Sequence, residues 1–154
     1  LVGRNLRQQG GKPALDFLSD LSRFLEQHTV HPRFATAVAE LKKAHAAVGQ
    51  ILGKLVDWAE VGNVELTSLS ANRVLDAMAE LTVGWLLLEG GVIAHDKLSK
   101  MTEAQADYHF YLGKCMAAQY YALNIVPGVI GKADVIAKED RSALDIPEAA
   151  FATV

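Results

Sequence analysis

Apolar residues recur in alternating steps of four and three along two stretches of this chain, and that spacing leaves few folds open. In the first stretch they are Phe34, Val38, Leu41, His45, Val48, Leu52, Leu55 and Ala59. In the second they are Val74, Met78, Leu81, Trp85, Leu88, Val92 and His95. An α-helix advances about 3.6 residues per turn, so each set forms one stripe along a helix. A strand needs alternation, and runs of Val, Ile and Thr joined by two-residue glycine turns are absent from the sequence.

Turn signals divide the rest. Gly10-Gly11-Lys12-Pro13 precedes a first helix over about Ala14 to His28, with Leu15, Leu18, Leu21 and Leu25 on one stripe. Proline suits a first helical turn, where its missing N–H has no partner to lose. His28 to Arg33 reads as a loop. A second helix over about Phe34 to Val61 closes at Gly62-Asn63, a left-handed cap. The third begins near Ser68 or Ser70, either of which can cap it. Leu86, Leu87 and Ile93 make this helix apolar on more than one face, so it is expected to be the most buried. Thr102 caps a fourth helix, which runs to about Val126 and stops at Pro127, since proline breaks the backbone ladder. A short helical turn is expected from Ala133 to Ala137, and a tail from Asp140 that is extended or holds one turn. The fold class is all-α, an up-and-down four-helix bundle with crossing angles of roughly 20°. Its parts are a preceding remnant and linker (1–12), the bundle (13–139) and a C-terminal tail (140–154).

The chain has 154 residues, enough for one self-sufficient core. Hydrophobic residues make up 51%, which suits either an alanine-rich bundle alone or one whose apolar surface faces a partner domain. A net charge of −3 without Lys/Arg runs excludes a nucleic-acid footprint. The one cysteine, Cys115, lies in an apolar helix and reads as an inert buried thiol. The longest apolar run, Leu81 to Ala94, contains Glu89 and falls short of the ~20 residues that span a bilayer, so no membrane span is expected and the setting is read as cytoplasmic.

Chemistry has few footholds. A di-metal bundle needs Glu-x-x-His, which does not occur. Asp107 and His109 point to different sides of a helix; His28 and His31 lie in a loop beside Pro32. Gly10-Gly11 and Gly90-Gly91 do not make a dinucleotide fingerprint. Gly84, Gly90, Gly91 and Gly113 read instead as points of close helix approach. No catalytic, cofactor-binding or metal-ligating residue is assigned. His45 and His95 occupy seam positions as hydrogen-bonded boundary residues, and Tyr108, Tyr111, Tyr120 and Tyr121 read as core and rim packing. Two charges interrupt apolar helices, Glu89 and Lys114. Each stands about twelve residues from the hairpin tip near Lys100 to Thr102, so on a rise of about 1.5 Å per residue they share a height. They are the candidate buried ion pair, with solvent snorkelling as the alternative.

Phe110-Tyr-Leu-Gly-Lys-Cys-Met-Ala-Ala-Gln-Tyr-Tyr-Ala122, followed by Val126-Pro127, resembles the last long helix of bacterial acyl-CoA dehydrogenases, where F-Y-x-G-K-x-x-A-A-x-F/Y-F/Y-A recurs. Leu1-Val-Gly-Arg-Asn-Leu6 is similar to the run that follows the catalytic Y-E-G-T motif of that family. The resemblance implies an extra C-terminal helical domain of a long-form enzyme, starting downstream of the chemistry; a first residue that is leucine agrees with an excised piece. It implies a parent that oxidises acyl-CoA at the α,β bond with FAD as acceptor and a glutamate base. That glutamate and its flavin-contacting neighbours are absent from this sequence. Gly3 and Arg4 map onto a family motif and carry no role beyond helix packing. The implied partners are the remainder of the dehydrogenase and a second copy in a homo-oligomer, with acyl-CoA as the parent's substrate. The competing reading is a free-standing helical interaction module.

Overall fold

A computed structural model describes residues 12–152. The expectations for Leu1–Leu6, including Gly3 and Arg4, and for Gly10-Gly11 lie outside the described residues. The rest is helical, without strands among the described residues: α1 (Lys12–Gln27), α2 (Ala35–Glu60), α3 (Val64–Leu98), α4 (Tyr108–Asn124) and α5 (Gly128–Ala137), then a 3-10 turn (Glu148–Phe151). The four long helices pack together, with α5 a short fifth on α2 and α3.

Several boundaries move. Gly62 takes φ +73°, as a left-handed cap requires. Asn63, however, serves the next helix: its side chain accepts from Leu66 N, so α3 starts at Val64, ahead of both serines. The α4 helix starts at Tyr108 and not at Thr102. The Thr102 N–H instead donates to Gln105 Oε1 at 2.8 Å within a run of turns. Pro127 does end α4. It also opens α5, where a missing N–H costs nothing, so the expected short turn is a ten-residue helix. Arg141 ties the tail to the start of α3 by an ion pair to Glu65 at 2.7 Å.

The core stripe of α3 is rotated from the expected one. Val74, Leu81 and Leu88 are buried as the spacing demands. The alternate positions inward are Ala77, Gly84, Gly91 and Ala94, while Met78, Trp85, Val92 and His95 are half-buried at the flank. Small residues let α4 press close. A Cβ at Gly91 would lie 2.8 Å from Ala118 Cβ and 3.0 Å from Phe34 Cζ; one at Gly84 would lie 2.7 Å from Val126 Cγ2. The displaced Trp85 takes the α1 side, its ring 5.7 Å from Phe17 and 6.3 Å from Phe24.

This rotation corrects the ranking of burial. The most buried helix is α2, with Phe34 just ahead of it and Val38, Leu41, Val48, Ile51 and Leu55 at 2% exposure or less. By contrast α3 keeps Leu75, Val83, Leu86 and Ile93 exposed. At 35 residues it is long and apolar enough by composition to cross a bilayer, more than the run Leu81 to Ala94 suggests. Here its inward face instead carries the bundle core.

Adjacent glycines test this packing. Gly90 has nothing within 4 Å of a built Cβ, so Gly90→Ala is expected to raise stability by about 0.5–1 kcal/mol through helix propensity. Gly91→Ala gains the same propensity but forces α4 and Phe34 to shift, at a cost of about 1–3 kcal/mol. Urea unfolding should therefore move in opposite directions. Equal gains would mean that α3 and α4 do not approach at Gly91.

Candidate functional site

Glu89 and Lys114 do not form the expected pair. Both are exposed, and neither enters an ion pair among the described residues. Neither height nor azimuth matches: Gly91 meets Cys115 and Ala118, which sets Glu89 level with Ala118, about one turn from Lys114. A helix turns about 100° per residue, so Glu89 sits beside inward Leu88 and Lys114 beside inward Cys115. The snorkelling alternative describes them: the Lys114 ammonium lies 5.4 Å from the centroid of Phe110, one turn earlier. The residues that fill the helix contact at that height are Gly91, Cys115 and Ala118. Cys115 Sγ donates to Gly91 O at 3.5 Å, and burial pushes its thiol up, away from the reactive thiolate.

A histidine cluster occupies the end of the bundle where α1, the following loop and α3 meet. The His31 ring stands 4.9 Å from His95 and 6.2 Å from His28, with Phe34 at 5.0 Å. His31 Nδ1 accepts from the N–H groups of Arg33 at 3.2 Å and Phe34 at 3.3 Å, which have no helical partner at the start of α2. Phe34 itself supplies no side-chain cap. An accepting Nδ1 requires the neutral ring with its proton on Nε2. Burial first, then the neighbouring His95 and His28, hold the His31 pKa below the ordinary value; the Asp96 carboxylate pulls the other way. His28 Nδ1 bonds Phe24 O at 2.8 Å, and Arg33 Nε donates to Gln119 Oε1 at 3.1 Å, which ties the loop to α4. No metal-binding group of three or more His, Cys, Asp or Glu exists among the described residues. His45 behaves as a boundary residue, with Nε2 at 2.9 Å from Leu18 O.

Among the described residues, the ion pair that bridges two helices is Lys132–Glu80, at 2.9 and 2.8 Å to the two carboxylate oxygens, half-buried between α5 and α3. Tyr121 lies against Gly84 nearby; burial and then the Glu80 charge raise its phenol pKa, with Lys132 opposing. Sequence spacing gave no signal for this pair, because Glu80 and Lys132 lie 52 residues apart and meet only through the break at Pro127. The histidine cluster had a partial signal, in that His28, His31 and His95 each drew notice separately.

At the other end Lys54 pairs with Glu139, which bears a positive φ of 51°. The mutual hydrogen bond raises the lysine pKa and lowers the carboxyl's. Glu139 borders a cleft of about 110 Å³ that Trp58, Ser70, Arg73 and Asp140 also line. That is well below the roughly 300–1,000 Å³ of small-molecule sites. It does not fit a flavin or a coenzyme A thioester.

Comparison with known proteins gives one consistent result. The family described as "Acetyl-CoA dehydrogenase C-terminal like" matches residues 17–147. Two butyryl-CoA dehydrogenases of Syntrophomonas wolfei are 32% and 33% identical over 97% and 96% of this chain, which in each case is 24% of the relative. A broad-specificity linear acyl-CoA dehydrogenase of Mycobacterium tuberculosis is 26% identical over 85% of the chain and 22% of its own length. The chain thus spans about a quarter of the curated relatives it matches.

Two measurements probe these groups. Because the folded state lowers the His31 pKa, the unfolded chain holds more protons in the window just below about pH 6.5. The contribution is complete above that value and is lost as pH falls towards the folded pKa. The urea midpoint should therefore drop from about pH 7.5 to about 5.5, and His31→Asn, which keeps an acceptor for the cap, should flatten the slope. An unchanged slope removes His31 from the account. In double-mutant cycles Glu80 and Lys132 should couple by about 1–2 kcal/mol, between exposed and buried pairs. Glu89 and Lys114 should show additive losses.

Proposed function

The chain belongs to the acetyl-CoA dehydrogenase C-terminal-like family, and from that premise we propose that it is the C-terminal helical domain of an FAD-dependent acyl-CoA dehydrogenase. Its role is structural, at an interface with the rest of the enzyme, and the chemistry lies elsewhere in the polypeptide. The parent oxidises an acyl-CoA at the α,β bond, with FAD accepting the hydride, and works as a homo-oligomer. The observation that carries the reading is the match across residues 17–147, from early in α1 to the tail.

The distribution of groups supports a non-catalytic domain. The cleft at Trp58 is too small for flavin, the Cys115 thiol is sealed against Gly91, and the histidine cluster serves the start of α2. FAD is assigned to the rest of the parent, as the family membership suggests, with no step routed through this chain. What this domain contributes is shape: a rigid hairpin of α3 and α4, held to α2 through Phe34 and Arg33.

The isolated chain is expected to be colourless after purification and silent in an acyl-CoA assay with an artificial electron acceptor. The longer polypeptide read upstream of Leu1 should carry a Y-E-G-T string, bind flavin and turn over. Stoichiometric flavin on the 154-residue chain would overturn the assignment, as would an upstream frame without a dehydrogenase.

A further inference from the structure

Among the described residues, the neighbours of α3 all arrive on one side of it. A Cβ at Gly84 would meet Val126, Tyr121 and Leu41, and one at Gly91 would meet Ala118 and Phe34, so α4 and α2 lie there. A helix turns about 100° per residue, which puts Trp85 about 100° round from Gly84. There it meets Phe17 and Phe24 of α1. Glu80, about 40° round the other way, holds Lys132 of α5. The arc opposite Gly84 is left open, and its side chains are exposed.

That open arc is apolar and regular. Leu75, Ala79, Val83, Leu86, Gly90 and Ile93 stand between about 180° and 260° round from Gly84, in steps of four and three. Leu75, Val83, Leu86 and Ile93 are 48%, 40%, 58% and 58% exposed, and a Cβ at Gly90 would touch nothing within 4 Å. Such a step is the seam one helix offers to another lying along it. Ala79 and Gly90, set among the larger side chains, supply the hollows into which a partner's side chains fit. The stripe is about 27 Å long at a rise of about 1.5 Å per residue. Asp76 borders it on one side and Glu89 on the other, both exposed and in no ion pair among the described residues. Asn72 and Lys97 close its two ends.

Width, charge and tether identify the occupant. Aliphatic side chains are smaller than aromatic ones of roughly 150–250 Å², so the exposed fractions amount to on the order of 300–400 Å². A stable free complex takes about 800 Å² from each partner, which a stripe one helix wide does not give to a second copy. Two copies paired along it would also bring their acidic borders together. A partner on the same polypeptide needs far less area, because the connecting chain holds it at an effective concentration of about a millimolar. The butyryl-CoA dehydrogenase relative has such a remainder: the match covers 97% of this chain and 24% of that protein. We propose that the outward stripe of α3 seats one helix of the rest of the parent polypeptide, its apolar positions on Leu75, Val83, Leu86 and Ile93 and its Lys or Arg side chains facing Asp76 and Glu89. This rests on the function proposed above and names the surface through which the domain acts.

The test is thiol protection in the full-length polypeptide. Leu75→Cys, Leu86→Cys and Ile93→Cys are made one at a time, with Val61→Cys, at a 78% exposed turn, as control. Maleimide labelling is followed by peptide mass spectrometry, which separates each site from the native cysteines, of which Cys115 is buried. Circular dichroism checks the fold, and a variant that loses helical content leaves the other two sites to decide. The stripe sites are expected to label at least about tenfold more slowly than Val61→Cys, because a docked helix must open before they react. Asp76→Lys combined with Glu89→Lys is expected to remove most of that protection by repelling a basic partner. Labelling of the stripe at the control rate overturns the proposal, and so does protection that survives the charge reversal. Protection that is lost on dilution overturns it in favour of a second copy; protection that appears only with phosphatidylcholine–phosphatidylglycerol vesicles does so in favour of a lipid surface. A protected stripe in a polypeptide that binds no flavin sustains the docking and sinks the dehydrogenase reading, while an unprotected stripe in a flavin-loaded one does the reverse.

Discussion

The structure depends on how closely α4 can approach α3. Gly84 and Gly91 leave no room for a methyl group, and the facing residues are Val126, Ala118 and Cys115. Dispersion forces fall steeply with separation, so a contact at this range recruits many weak attractions that a wider spacing forfeits. The approach also rotates α3. Once the small residues face α4, the bulky ones must go to the flanks, where Trp85 becomes the seat for α1 and His95 joins the histidine cluster. The position of the first helix thus follows from glycines in the third.

The same rotation leaves α3 apolar on its outward face as well as its inward one. Inside the bundle, Phe34, Leu21 and Leu25 are sealed within 1% exposure. On the outward face of α3, Leu86 and Ile93 remain in water. An apolar stripe on both faces of one helix is unstable as a free surface and sensible as a layer between two bodies. The composition hinted at this through a hydrophobic share of 51%, without saying which residues were responsible.

Much of the fold was legible, and the misses share a cause. Period and punctuation located the four long helices, Gly62 and the stop at Pro127, because these are local effects of backbone geometry. The four–three step found Val74, Leu81 and Leu88, yet chose Met78 and Trp85 over Ala77 and Gly84, since hydrophobicity alone ranks a large side chain above a small one. Heights along the hairpin were readable only to within about one turn: Gly91 meets Cys115 and Ala118, which sets Glu89 level with Ala118 and not with Lys114. Azimuth was not readable at all, and Glu89 and Lys114 missed each other on both counts. The histidine cluster and the Glu80–Lys132 bridge join segments distant in sequence, where only the assembled fold carries the information. The family resemblance rested on strings at the two ends of the chain, while the match to the C-terminal-like family runs through the middle as well.

The interruption at Pro127 separates two mechanical roles within one arm. Hydrogen bonding runs continuously through α4 and starts again in α5, with Gly128 N to Ile125 O as the turn between them. Across the break the helical ladder gives way to shorter turns, Gly128 N to Ile125 O and Val129 N to Val126 O, so fraying that enters from the tail meets a weaker link before it reaches Tyr108–Asn124. What α5 holds by itself is Val129, Ala133, Ile136 and the Lys132 grip on Glu80. The proline acts as a firebreak: disorder arriving at the C-terminus is spent on ten residues, and the α3–α4 hairpin behind it keeps its register.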